Sequence, residues 1–221
     1  MILLKIISLL MPWFIRRRFL NSVFGYEIHV GARMGLAWVF PGKLIMAAGS
    51  HIDHFTTAIH LDLVKLGENA SIGRGNWITG LSTSGDHKHF KHQADRKAAL
   101  IIEEAAAITK NHHLDCTNEI YIGKFATIAG YQSQFLTHSI NILENIQDSA
   151  PIKIGAYAFV GTNVVVLGGA SLPAYSVLGA KSLLNKEFTE EYMLYGGVPC
   201  KPLQTISKDA KYFLRTEWFV Y

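Results

Sequence analysis

IGAYAFVGTNVVVLGGASLPAYSVLGAKSLL, residues 154–184, carries an aliphatic side chain at every sixth position: Ile154, Val160, Val166, Leu172, Leu178 and Leu184. Gly155, Gly161 and Gly179 directly follow three of them. A six-residue period coincides with no helical face, which recurs about every 3.6 residues, and the residues between do not alternate as those of one long strand would. The unit that fits is a short strand plus a corner. Three such units close a triangular coil of about eighteen residues, and stacked coils make a prism whose core is a set of Ile, Leu and Val ladders.

Upstream the same pattern returns. Leu66, Ile72 and Ile78 are followed at two places by Gly67 and Gly73; Ile102, Ile108, Leu114 and Ile120 keep that register; Ile122 and Ile128 are followed by Gly123 and Ala129. The two-residue slip between Ile120 and Ile122 belongs at a turn. This reading predicts an all-β, parallel β-helix over residues 26–186, with coils at 66–78, 102–114, 122–134, 154–166 and 172–184. Gln134 is thereby placed at the third inward position of its coil. The weaker aliphatic spacing from Ile28 to Leu61 adds one or two less regular coils.

Residues 81–99 and 136–151 break the stacking. Extrusions from a solenoid cost little closure entropy and are where function concentrates. After residue 186 the repeat is lost, and residues 187–221 are expected to form a turn and a helix that covers the open end of the prism. Residues 1–25 are expected to be an amphipathic helical segment. MILLKIISLLMPWF is followed by Arg16, Arg17 and Arg18, the reverse of a secretion signal, which puts its positive charges first. Lys5 and Pro12 interrupt the apolar run, which falls short of the roughly 20 residues a bilayer-spanning helix needs. Two placements stay open for it: on a cytoplasmic membrane surface, or packed against the domain or a neighbouring subunit.

With 49% hydrophobic and 17% charged residues, the 221-residue chain is built to bury a core. The net charge of +4 is too modest for a dedicated nucleic-acid binder and suits an acidic small molecule or an anionic surface. Cys116 and Cys200 make neither a disulfide framework nor a metal knuckle, and read as free thiols in a reducing compartment.

The order of three features carries a resemblance: the loop FLTHSIN containing His138, then the repeats of residues 154–184, then GGVPCKPL. Over roughly residues 66–206 the chain resembles the hexapeptide-repeat acyltransferases, and within them the maltose, galactoside and polysaccharide O-acetyltransferase branch. The resemblance implies a left-handed parallel β-helix, acetyl-CoA as acyl donor, a sugar or glycan acceptor, and a homotrimer with active sites between subunits; the expected location is cytoplasmic, with peripheral contact at the inner face of the membrane left open. It implies that His138, next to Thr137, is the general base. Histidine suits the task because its pKa near 6.5 leaves it largely neutral at neutral pH.

The orienting partner of His138 stays open among Asn141, Glu144, Asp148 and a backbone carbonyl. For the cofactor, the resemblance implies backbone contacts at Gly161, Gly179 and Ala180, with the Thr162 hydroxyl beside the thioester. Lys186 and Lys201 stand near the nucleotide phosphates, Lys201 giving a point charge where the family often has an arginine fork. Asn111 and His113 are the candidate acceptor-binding residues, with a slip onto Thr109 left open. The loop containing His87, His89, His92 and Arg96 either closes over the acceptor or is solvated. Three rival readings are an N-acyltransferase acting on an amino sugar, a β-helix scaffold without catalysis, and a zinc enzyme. Zinc needs three converging ligands. In the zinc branch of this fold a second histidine follows the first by five residues, and here that position is Leu143; His87 and His92 have the spacing without a third ligand in place. No metal is expected.

Overall fold

The computed structural model describes residues 1–85 and 88–220. Within them the chain winds through three parallel sheets in strict rotation, seven turns in all. The first and third sheets have seven strands each; the second has nine, because a C-terminal hairpin joins it. The first-sheet ladder is Ile28, Met46, Leu66, Ile102, Ile122, Ile154 and Leu172. The second runs through Met34, Ile52, Ile72, Ile108, Ile128, Val160 and Leu178, and the third through Val39, Ala58, Ile78, Leu114, Phe135, Val166 and Leu184. All are buried. Each such aliphatic side chain contributes about 1.5–3 kcal/mol. The segment from Ile28 to Leu61 supplies two full coils, so the prism has seven.

Three expectations are corrected. The inward residue of the fifth coil on the third sheet is Phe135; Gln134 points outward. The four residues between Asp115 and Ile120 form a corner two residues longer than the regular one, which absorbs the slip, and Ile120 and Ile122 lie in one strand, Ile120–Ile122. Nor does the C-terminal helix cover the open end. That end is closed by the chain around Phe188 and Tyr195, whose rings are 4.4 Å apart, and by the hairpin Met193–Gly197 and Cys200–Thr205. Helix α3 (Lys211–Leu214) instead lies along a side edge, against a column of stacked rings: Phe125, Tyr157, Tyr175 and Tyr192, 4.8–5.2 Å apart.

The small residues after the aliphatic positions have a different cause from backbone freedom. At this column the left-handed conformation is taken by Phe125, Tyr157, Tyr175 and Tyr192, each with φ between 53° and 58°. Gly123 is small because the next coil passes over it: a Cβ there would meet the Ala156 nitrogen at 2.6 Å.

At the other end, α2 (Trp13–Phe24) caps the first coil. Leu20 is fully buried, Trp13 Nε1 donates to the Ala32 carbonyl, and the Arg16 guanidinium donates to the Gly35 and Ala37 carbonyls, both at 2.8 Å. These bonds satisfy acceptors at the first coil. No helix among the described residues is long and apolar enough to cross a membrane.

Candidate active site

The threefold rotation decides where the extrusions emerge. Residues 81–85 and 88–98 leave between the third and first sheets, the corner 116–119 turns at the same edge, and so does the loop after Leu136, which forms the antiparallel hairpin His138–Asn141 and Ile146–Ser149. Three segments scattered in sequence thus meet on one edge. Gln93 Nε2 donates to Asp148 Oδ1 at 2.7 Å and to the Ser149 carbonyl at 2.8 Å, and Ser149 Oγ donates to Gln93 Oε1 at 2.6 Å. Asn118 Nδ2 donates to Ser149 Oγ at 3.1 Å, and its backbone N–H to Thr137 Oγ1 at 2.9 Å.

His138 stands at the root of this hairpin. Its Nδ1 lies 2.5 Å from Asp115 Oδ2. Asp115 ends the strand His113–Asp115, one coil below, where it pairs with Leu136. The strand's alternation turns Leu114 into the core and Asp115 out, and the loops then cover Asp115 to 6% exposure. Its carboxylate also accepts from the Thr117 N–H at 3.1 Å and hydroxyl at 2.7 Å. Burial alone would raise the Asp115 pKa, but the hydrogen bonds from His138 and Thr117 outweigh it and hold the carboxyl below its ordinary range. In return the Asp115 hydrogen bond raises the His138 pKa against the opposing effect of burial. A carboxylate on Nδ1 selects the Nδ1–H tautomer and leaves the Nε2 lone pair for a proton.

The His138 side chain is 42% exposed and lines a cleft of about 370 Å³ with Ser139, Asp148, Leu167, Gly168 and Asn185. Gly168 lets the wall approach: a Cβ there would meet the Thr137 carbonyl at 2.6 Å. From the other extrusion Phe90 sets its ring edge-on to the imidazole, 6.2 Å between centroids. Arg96 lies over the Phe90 ring and donates to the Leu81 and Thr117 carbonyls, both at 2.5 Å, so it ties the loop to the corner.

The remaining candidates fall in different places. Asn141 caps the hairpin turn through the Leu143 and Glu144 N–H groups, and Asp148 is engaged by Gln93. Neither they nor Glu144 orient His138. Asp115 does, a residue the sequence reading did not consider; its signal was its position directly after Leu114 in the register that brings Phe135 and Leu136 above it. Gly161, Thr162, Gly179 and Ala180 sit at the corner between the second and third sheets, one edge away from His138 in the same chain. The N–H groups of Gly161 and Gly179 stack onto the Leu178 and Tyr195 carbonyls. Thr162 Oγ1 bridges both the N–H and the carbonyl of Tyr131, at 3.1 Å each. Lys186 follows Asn185 at the edge of His138, with its Nζ over the Phe188 ring, and Lys201 is exposed on the C-terminal hairpin.

Asn111 and His113 line a separate groove of about 610 Å³ with Trp77 and Gln132. His113 and Asp115 project from the same face of one strand, His113 into that groove and Asp115 at the His138 edge. Thr109 Oγ1 lies 3.0 Å from Nε2 of buried His112 and within bonding distance of the Ile128 and Gly130 carbonyls, committed to the framework. His89 and Arg96 border a pocket on the extruded loop, and His92 Nε2 is 3.9 Å from Asp148 Oδ1; His87 lies outside the described residues. Among the described residues no three His, Cys, Asp or Glu side chains converge as metal ligands.

Comparison with solved structures follows the same architecture. AntD, an N-acyltransferase from Bacillus cereus crystallised as an S84A mutant with dTDP-4-amino-4,6-dideoxyglucose and coenzyme A, superposes with a TM-score of 0.54. The match covers 90% of this chain and 93% of AntD at 13% identity. The fold is a left-handed parallel β-helix, shared with that N-acyltransferase. A Staphylococcus aureus (strain Mu50) protein designated "Putative acetyltransferase" is 33% identical over 76 residues. That stretch is 33% of this chain and spans only 38% of the relative. A Bacillus cereus protein of the same designation superposes with a TM-score of 0.50 at 18% identity, over 83% of this chain and 80% of its own. No family model matches the chain.

Asp115→Asn tests the dyad. An amide still accepts the Nδ1–H bond but lacks the charge that steadies an imidazolium. In the native protein the His138 pKa lies above the ordinary value near 6.5, so the imidazolium persists to higher pH. In Asp115→Asn the titration of the His138 ring, followed by NMR, is expected to shift to lower pH; an unmoved titration refutes the pairing.

Proposed function

We propose that the protein is an acetyl-CoA-dependent acetyltransferase that moves an acetyl group to a hydroxyl of a sugar or glycan precursor, with His138 as general base. The observation that carries this reading is the Asp115–His138 pair opening onto a cleft at the edge where both extrusions meet. In the reaction His138 Nε2 takes the acceptor proton as the hydroxyl oxygen attacks the thioester carbonyl. The resulting imidazolium is held against the Asp115 carboxylate. As the tetrahedral intermediate collapses, the C–S bond breaks and the thiolate of coenzyme A leaves with the proton from His138.

Acetyl-CoA is assigned to the corners at Gly161, Thr162, Gly179 and Ala180, with Lys186 and Lys201 toward its phosphates. In one chain those corners lie an edge away from His138. A homotrimer that brings a neighbour's corner to the His138 edge completes such a site, which supports that assembly. Asn111 and His113 would bind the acceptor along the third sheet. A cytoplasmic location fits a donor made there. The second reading is N-acylation, favoured by AntD, whose crystals hold an amino-sugar nucleotide beside coenzyme A.

Two measurements test the proposal. Acetyl-CoA at about 100 times its Kd should stabilise the fold by about 2.7 kcal/mol, read as a raised melting temperature. A screen of hydroxyl and amino sugars with labelled acetyl-CoA should show label transferred to a sugar; transfer to amines alone selects the second reading. No thermal shift at millimolar acetyl-CoA and no labelled product would leave a scaffold.

A further inference from the structure

The N-terminal helices present their apolar side to solvent. In α1 (Ile2–Leu9), Leu3, Ile6 and Ile7 are exposed, and Leu10 follows at 83% exposure. These four stand at positions i, i+3, i+4 and i+7 and form one continuous face. The opposite side, with Lys5 over the Phe40 ring and buried Ser8, turns toward the protein. A surface helix is ordinarily mounted the other way round, and soluble proteins rarely leave so continuous a stripe uncovered. Helix α2 adds Phe14 at 65% exposure, one turn ahead of exposed Arg18.

Charge identifies the partner. Residues 1–26 contain Lys5, Arg16, Arg17 and Arg18 and no acidic residue; of the chain's 21 basic and 17 acidic residues, the remaining 195 therefore hold 17 of each. The entire net charge of +4 resides in this cap. Arg16 is buried on backbone carbonyls; half-buried Arg17 gives Nη1 to the Ile28 carbonyl at 3.2 Å and keeps its other guanidinium N–H groups, beside exposed Arg18, for an outside partner. A second copy docking through the same face would set these cations against their own kind with no carboxylate between them. An anionic lipid surface accepts both the aliphatic stripe and the guanidinium groups.

We propose that the N-terminal cap is a membrane-docking surface: the Leu3–Ile6–Ile7–Leu10 stripe lies among the acyl chains of an anionic bilayer, and Arg17 and Arg18 engage its phosphate headgroups. The cap's buried face, through Leu20, Trp13 and Arg16, holds the β-helix to it. This inference stands apart from acetyl transfer.

The test is flotation of the full chain with vesicles of phosphatidylcholine alone and of phosphatidylcholine with phosphatidylglycerol. Native protein is expected to float with the anionic vesicles and much less with the neutral ones. Arg17→Gln/Arg18→Gln should weaken anionic partition about fivefold per arginine, about thirtyfold together. Ile6→Gln/Ile7→Gln/Leu10→Gln should stay with the unbound protein while keeping the native circular dichroism and sedimenting mass. Native protein that fails to float with anionic vesicles overturns the proposal. So does a lower mass for the glutamine variant in analytical ultracentrifugation, which would show that the stripe joins copies of the chain.

Discussion

His138→Ala is expected to lower kcat/KM for acetyl transfer by about 10²–10⁴-fold while leaving the Kd for acetyl-CoA within about twofold. The asymmetry follows from placement. His138 lies on the hairpin edge between the third and first sheets, and the corners assigned to the donor lie between the second and third. An alanine removes the proton acceptor without touching those corners. Release of free thiol measures turnover, and calorimetry measures donor binding. Undiminished turnover in a folded variant ends the assignment of His138 as base. Equal loss of donor binding would mean that the histidine holds the donor instead. Phe90 and Asp115 keep their positions through bonds of their own, Phe90 under Arg96 and Asp115 on Thr117, so the cleft should not collapse.

Phe135→Ala is the substitution expected to cost most in stability, about 3–5 kcal/mol. Phe135 is fully buried between Leu114 and Val166 in the third-sheet ladder, and the rest of its coil is Ile122 and Ile128. Close-packed coils on both sides prevent the space from closing. Gln134, its neighbour, is exposed, and Gln134→Ala should change stability by no more than about 0.5 kcal/mol. Urea denaturation of the pair measures the difference directly. If Gln134→Ala proves the more damaging, the inward register of the fifth coil is wrong.

That pair also marks how far pattern reaches. Where coils follow one another every 18 residues, as from Ile154 to Leu172 and Val160 to Leu178, counting sixes places every inward side chain correctly. From Ile128 to the next inward residue, Phe135, the step is seven residues, and counting sixes misses by one. A one-residue slip turns a strand over, so an outward Gln134 was read as inward. A second lengthened corner, 116–119, hid the partner of His138. Asp115 precedes it by 23 residues and looks, in sequence, like one more polar residue after a core leucine.

The prism and its ladders were legible in the chain because burial alone enforces them: an aliphatic residue every sixth position has one way to be hidden from water, and the histidine loop showed as a break in that period. Which edge the extrusions share was not. Three segments, 81–85 with 88–98, 116–119 and 137–151, come together only because each lies a whole number of coils from the next, and an insertion of any length leaves that rotation intact. The Asp115–His138 geometry was decided there as well. Burial raises the cost of an unpaired Asp115 and hydrogen bonds to Thr117 and His138 repay it, a balance that exists only once the loops have closed over the strand. The outward-turned stripe of α1 belongs to the same class. Its spacing shows an amphipathic helix, but only packing of α2 on the first coil determines that the apolar side faces away from the protein.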